Sequence, residues 1–387
     1  VARRIATVYG AVFVLAGIQL PYFPVWLDWR GLTPAEIAIV VSAPMLIRIV
    51  ATPLIAFVAD QRGAHREILA ALSWLAAGAL CLVATSTSFA TILALTAVFA
   101  IASTSVMPLT ETIAMSYVRG AGLDYGRMRL WGSATFIAAS FLGGLAISIL
   151  GSAAGVWLMI AAAVGAALAM SSMPRAMVGA GAAARTPPRW RDAARLGRDP
   201  LFLVFLLATG AVQSAHAVLY GFGTLHWSRL GISPTWSGTL WAIGVISEIV
   251  IFAYAGRLQG WFGPIGWLGL GSGSAFVRWI IMGFDPGFGT LLALQVLHGC
   301  SYGAAHIGAM FFIACAVPDA QAGTAQALYA SVTAGIAMAG AMLLAGWLYG
   351  AIGGRAYWAM AALAAVSCVA TAVLAVRWRG TVLFEVR

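Results

Sequence analysis

The stretch "PRAMVGAGAAARTPPRWRDAARLGRDP", Pro174 to Pro200, decides the fold, because it is the one long polar segment in an otherwise apolar chain. Its Gly, Ala, Pro and Arg could not sit in a hydrocarbon core, so it reads as a water-facing linker. Of the 387 residues 62% are hydrophobic and only 9% charged, which excludes a soluble globular domain. Working outward, the apolar runs on each side are about 20 residues long, the length of a helix crossing a hydrocarbon core of about 30 Å. A membrane β-barrel would show shorter, alternating segments instead.

Six spans are expected before the linker, near 5 to 27, 34 to 59, 67 to 87, 91 to 117, 128 to 150 and 154 to 173. Six more follow, near 200 to 226, 234 to 256, 264 to 283, 287 to 315, 324 to 350 and 355 to 377. They are numbered 1 to 12 in chain order. The expected organisation is an all-α membrane protein: an N-terminal six-helix bundle over 1–173, a cytoplasmic central loop over 174–199 and a C-terminal six-helix bundle over 200–387. Within the loop, Trp190 to Arg198 reads as a short helix on the membrane surface. The halves echo each other weakly, "ADQRGAHRE" after "PLIAFV" matching "AGRLQGWFG" after "EIVIFAY". Two parallel six-span repeats around a long loop are the architecture of transporters whose halves rock about a midplane site.

All 22 basic residues are arginine, and most fall into alternate loops: Arg3 and Arg4, Arg62 and Arg66, Arg119, Arg175 to Arg198, Arg257, and Arg377 to Arg387. The positive-inside rule then places those loops and both termini in the cytoplasm, with the spans in the inner membrane. The net charge of +10 therefore reads as topology and contact with anionic lipid, and nucleic acid is excluded as a partner. Span 1 carries Gln19 and Pro21 and no small-residue cleavage pattern, so it is expected to remain as a helix. Cys81, Cys300, Cys315 and Cys368 stand singly inside spans, without metal-ligand spacing, and read as packing residues. No phosphate loop, nucleophile elbow or metal-binding His pair occurs, so no enzyme, cofactor or metal is expected.

Ionisable groups inside spans carry the functional reading, since each costs about 2.5 to 3.5 kcal/mol at a bilayer centre even on a lenient scale. They are Arg48, Glu111, Arg127 and Arg129 in the first half, and His216, Glu248, Arg278, His298 and His306 in the second. Each half holds an acid and a base. At ~100° per residue Arg127 and Arg129 point about 160° apart, so one of them at most faces inward. By the same geometry His298 and His306 differ by about 80° and about 12 Å, too far to hold one small group together. Static interhelical pairs are the structural explanation for any single residue. For the set, a substrate and proton pathway explains more. Glu248 is the expected proton carrier, with Arg278 moving closer or farther to switch its proton affinity and His298 sharing the proton. Phe136, Tyr220 and Trp279 are candidate ring-stacking residues.

The pieces "MPLTETIA" (Met107 to Ala114), "LDYGRMRLWGS" (Leu123 to Ser133), "QSAHAVLYGF" (Gln213 to Phe222), "LWAIGVISEIVIFA" (Leu240 to Ala253), "VRWIIMG" (Val277 to Gly283) and "LQVLHGCSYGAAHIGAM" (Leu294 to Met310) carry a resemblance along nearly the whole chain. Together they resemble the major facilitator superfamily and, within it, the phenylpropionate permease family. That family is related to the oligosaccharide/proton symporters that include lactose permease. Asp60, Gly63 and Arg66 resemble the superfamily's gating-loop motif between spans 2 and 3, with Ala56 and Gln61 departing from it.

By position, the resemblance implies that Glu111 and Arg129 match the acid and arginine that grip sugar in lactose permease. It likewise implies that Glu248, Arg278 and His298 match its coupling acid, arginine and histidine. Phe136 stands where that permease has a stacking tryptophan, and Ser301 where it has a proton-carrying glutamate, so neither galactoside recognition nor that proton site carries over. The implied function is uptake of an aromatic or arylalkyl carboxylate with protons, by a monomer. Arg48, Glu111, Arg129, Phe136, His216, Tyr220 and His306 are the candidate substrate residues, and Glu248, Arg278 and His298 the coupling residues. The competing readings are a transporter of a neutral nucleoside or oligosaccharide, and a non-transporting assembly factor or sensor on a transporter fold.

Overall fold

The computed structural model describes residues 1–177 and 190–383, so most of the central loop lies outside the described residues. Its short helix begins where the sequence places it, at Trp190, and ends at Leu196. The described residues are helical almost throughout, and eleven stretches are long and apolar enough to cross a membrane. The last of these, Asp319–Arg377, breaks at Gly353 (φ 58°) into a 3-10 turn and then Tyr357–Arg377, which separates spans 11 and 12. Spans 8 and 9 are likewise nearly continuous over Pro234–Met282 and part at Gly263, whose φ of 56° favours glycine and which precedes Pro264. The loop expected there is therefore a single kinked residue.

Span ends follow from capping chemistry. The Thr33 hydroxyl accepts from the Glu36 amide while the Glu36 carboxylate accepts from the Thr33 amide, with Pro34 in the first turn and Gly63 in the left-handed region at the other end. Asp124 and Asp199 cap spans 5 and 7 by accepting from the amides of Arg127 and Phe202. Span 4 turns at Thr104 and Ser105, between Phe89–Ser103 and Val106–Ala121. Pro108, four residues after Thr104, has no amide to offer its carbonyl, and the helix breaks there.

Contacts group the chain into two units, one comprising Val1–Arg185 with Gly221–Ala242, the other Thr186–Tyr220 with Ile243–Arg387. The C-terminal end of span 7 and the start of span 8 thus pack with the first unit. In that unit spans 1 and 5 approach at small residues: a Cβ on Gly17 would meet the Phe136 carbonyl at 2.7 Å, and Ser140 donates to the Gly17 carbonyl at 3.1 Å. The Tyr22 hydroxyl lies 2.6 Å from the Ser140 carbonyl and 3.3 Å from that of Pro234, beside Gly144 and Gly238. Ser148 bonds Thr235 at 2.9 Å, and Arg229 reaches Asp28 at 3.2 Å.

In the second unit Ser272 and Ser367 bond at 2.7 Å, and Ser367 donates to the Ala208 carbonyl, tying spans 7, 9 and 12. Phe205, Phe312 and Tyr329 stack in its core. Large apolar side chains such as Leu54, Phe57 and Trp131 point outward, as lipid requires. Cys81 and Cys315 are exposed rather than packed.

A Cβ on Gly238 would stand 2.1 Å from the Ser140 carbonyl and 2.5 Å from the Tyr22 hydroxyl. Gly238→Ala is expected to destabilise the protein by about 1–3 kcal/mol through overpacking. Thermal unfolding in detergent checks this as a lowered Tm.

Candidate functional site

Of the ionisable residues singled out in the sequence, Glu111 and Arg129 meet in the first unit and His216, Glu248, Arg278 and His298 in the second, while Arg48 and Arg127 join neither cluster. In the first, span 5 presents Tyr125 and Arg129 one turn apart, facing Glu111 of span 4. Tyr125 donates to the Glu111 carboxylate at 3.1 Å, whereas Arg129 Nε stays 3.9 Å from the same oxygen. Arg129 is held by rings as much as by its acid: its guanidinium lies 4.2 Å from the centre of Phe13 and 5.6 Å from that of Tyr9. Both ions are about a third exposed, at 32% for Arg129 and 30% for Glu111, so each keeps a face open to a ligand.

Arg127 points out and is exposed, in agreement with the opposed directions read from the helical period. Arg48, in the middle of span 2, is exposed and makes no ion pair or hydrogen bond among the described residues. Phe136 is buried, with its backbone against Gly17. A cavity of about 190 Å³ lies within the same unit, bounded by Leu15, Gln19, Ser73, Phe99, Val106 and Met170 among others. In the loop between spans 2 and 3 His65 bonds Asp60 at 2.7 Å, Arg66 donates to the Ser171 carbonyl at 3.0 Å, and Gly63 makes the left-handed turn between them.

The second cluster is built around Arg278 of span 9, which is fully buried. It donates to Gln295 Oε1 at 2.8 Å, to Ser301 Oγ at 3.2 Å and toward His298 Nδ1 at 2.7 Å. A guanidinium has no acceptor, so Nδ1 of His298 must accept and its proton resides on Nε2. That Nε2 lies 2.8 Å from the Glu248 carboxylate, which it faces as a donor. On the other side, His216 Nδ1 meets the Val212 carbonyl at 3.0 Å and so carries the proton, leaving Nε2 to accept from the Ser301 hydroxyl at 3.1 Å.

Every bond in this chain therefore has a settled direction, running outward from Arg278. The Glu248 carboxyl lies at its end, and a proton on its other oxygen would leave the direction of every bond in the network unchanged.

His216 and Tyr220 join this cluster, with ring centres 5.7 Å apart and Tyr220 6.5 Å from His298. Trp279 lies 4.5 Å from the Arg278 guanidinium and stacks on Tyr357. His306 stands apart from His298, bonding the Tyr329 hydroxyl at 3.3 Å. Arg278, Glu248 and His298 all belong to the second unit.

Tyr9, Phe13, Tyr125 and Gln295 were missed in the sequence because uncharged residues carry no cost signal in a membrane. Their spacing could have found them, since Tyr125 precedes Arg129 by one turn and Gln295, His298 and Ser301 recur every third residue.

A family model described as the MFS_1 like family matches residues 2–360. The probable 3-phenylpropionic acid transporter of Escherichia coli (strain K12) is 30% identical over 365 residues, covering 94% of this chain and 95% of that protein. The maltose permease of Geobacillus stearothermophilus is 29% identical over 356 residues, covering 89% and 88%. Among solved structures, the nucleoside transporter NupG superposes with a TM-score of 0.83 at 18% identity, covering 98% of this chain and 99% of that one, a likeness of fold.

Gln295→Leu removes an acceptor from the buried Arg278 guanidinium. It is expected to cost about 1–3 kcal/mol, the desolvation of an unsatisfied buried donor, read as a lower Tm with the helical content unchanged.

Proposed function

The chain belongs to the MFS_1 like family, a family of membrane transporters, and from that premise we propose proton-coupled symport of a small aromatic or arylalkyl carboxylate by alternating access. The observation that carries the substrate class is Arg48, a cation at mid-span that is exposed and unpaired among the described residues, in a unit where Glu111 and Arg129 face each other. A cation there costs free energy that an incoming anion offsets. The carboxylate is received by Arg129 or Arg48, with Glu111 and the rings of Phe13 and Tyr9 orienting Arg129. The apolar cavity of about 190 Å³ in the same unit suits an aryl group, since cavities of about 150 Å³ accept benzene. The most similar relative cited above bears a matching name, a probable 3-phenylpropionic acid transporter.

The proton rides on Glu248. When the carboxylate is charged, it accepts from His298 Nε2 and balances Arg278 through the imidazole; when it is neutral, Arg278 is left as an uncompensated cation in its unit. Protonation therefore makes this unit, too, receptive to an anion. That linkage couples the two cargoes. The protein acts in the inner membrane with both termini cytoplasmic, as the arginine distribution supports.

A second reading, transport of a neutral sugar, is favoured by the maltose permease at nearly equal identity. There Glu111 and the tyrosines would bond hydroxyls. Thermal shifts of the purified protein with 3-phenylpropionate, maltose and a nucleoside separate the two: stabilisation by the acid alone upholds the first, and by maltose alone the second.

Arg129→Ala is expected to lower 3-phenylpropionate uptake at least about thirtyfold, the loss of ~2 kcal/mol of charge-assisted hydrogen bonding, with membrane insertion intact. Normal uptake by that variant removes the assignment. For Glu248→Gln, accumulation driven by an imposed proton gradient is expected to vanish while counterflow exchange persists; measured in proteoliposomes, a retained gradient response argues against Glu248 as carrier.

A further inference from the structure

Span 10 is not a regular α-helix. Phe288–His298 gives way to a π-helical segment, Gly299–Ala304, before α-helix resumes at Ala305–Ala316. The segment begins one residue after His298. π-turns inside α-helices hold one residue more than the α period allows, and they persist only where something outside the helix engages the backbone groups they loosen.

Here that engagement comes from Ser247 of span 8. The Gly299 amide donates to Ser247 Oγ at 2.8 Å, and the same oxygen lies 3.5 Å from the Gln295 carbonyl. These are the donor and acceptor that an i to i−4 bond would join in an α-helix. The Ser247 proton has its own acceptor, the Gly244 carbonyl at 2.7 Å. The hydroxyl is thus seated against the ladder of span 10 at the point where the helix widens.

Glycines make this seat possible. A Cβ on Gly299 would stand 2.5 Å from the Ser247 carbonyl, one on Gly244 would meet the His298 ring at 3.3 Å, and one on Gly303 would lie 3.9 Å from Glu248 Cγ. Spans 8 and 10 therefore touch backbone to backbone along one seam. Glu248 is the residue after Ser247, and His298 the residue before Gly299.

We propose that Ser247 is a positioning residue: by pinning span 8 to the π-turn of span 10, it holds the Glu248 carboxylate on His298 Nε2. The inference rests on the reading of Glu248 as proton carrier and adds the residue that sets its geometry. The pair is faced by His216 and Tyr220 from span 7, Arg278 from span 9, Tyr302 and His306 from span 10, and, through His306, Tyr329 from span 11.

The experiment is infrared difference titration of the purified full chain in nanodiscs, with Glu248→Gln identifying the Glu248 carboxyl band by its loss. Ser247→Ala is expected to move the titration midpoint of that band by at least about half a pH unit, a threefold change in proton affinity. Ser247→Thr, which keeps the hydroxyl, is expected to restore it. Amide hydrogen exchange across residues 295–304 is expected to accelerate in Ser247→Ala and not in Ser247→Thr. An unmoved midpoint, or unchanged exchange in a folded Ser247→Ala protein, overturns the pin. A titration in which Glu248→Gln removes no band overturns the proton reading itself, and the two failures are told apart by that control.

Discussion

An arginine with no access to water is the constraint on which the second unit depends. Arg278 brings a permanent charge into the bundle, and Gln295, Ser301 and His298 converge on it. Because a guanidinium can only donate, it dictates the tautomer of His298 and, through it, which atom faces Glu248. Ser301 and His216 are oriented by the same demand. Glu248 meets Arg278 across an imidazole rather than by direct contact.

The first unit meets the same cost differently. Arg129 and Glu111 are held 3.9 Å apart, with tyrosine and phenylalanine supplying the remaining contacts, and both stay partly exposed. A loose pair yields to a ligand more readily than a buried, fully bonded one, since a ligand carboxylate displaces little. The contrast leaves Glu111 in a loose, partly exposed pair and Glu248 at the end of a buried hydrogen-bonded network. Small residues let both arrangements form, because the seams at Gly17 and at Gly244 and Gly299 bring backbones close enough for side chains to cross between spans.

The spans were legible from composition and length, and so were the interior charges, because hydrocarbon penalises both irregular backbone and ions severely enough to leave a mark in a single sequence. The opposed directions of Arg127 and Arg129 were legible too, since they require only the helical period. The association of His298 with Glu248 was reachable from the interior ionisable groups and again by resemblance. Ser247 was not visible, since a hydroxyl inside a span is ordinary until a partner is placed beside it.

The amino-acid sequence alone determined that this chain crosses a membrane repeatedly in two sets of spans around a polar linker, and that it spends scarce interior charge in both sets. It determined these things because they follow from local free energies of transfer. Only the tertiary structure decided which atom of His298 carries a proton, that Arg278 and Glu248 lie in one unit, and that span 10 widens at Gly299 against Ser247. Hydrogen bonds between spans depend on register and rotation, which are set by packing across many residues and leave no periodic trace in any one helix.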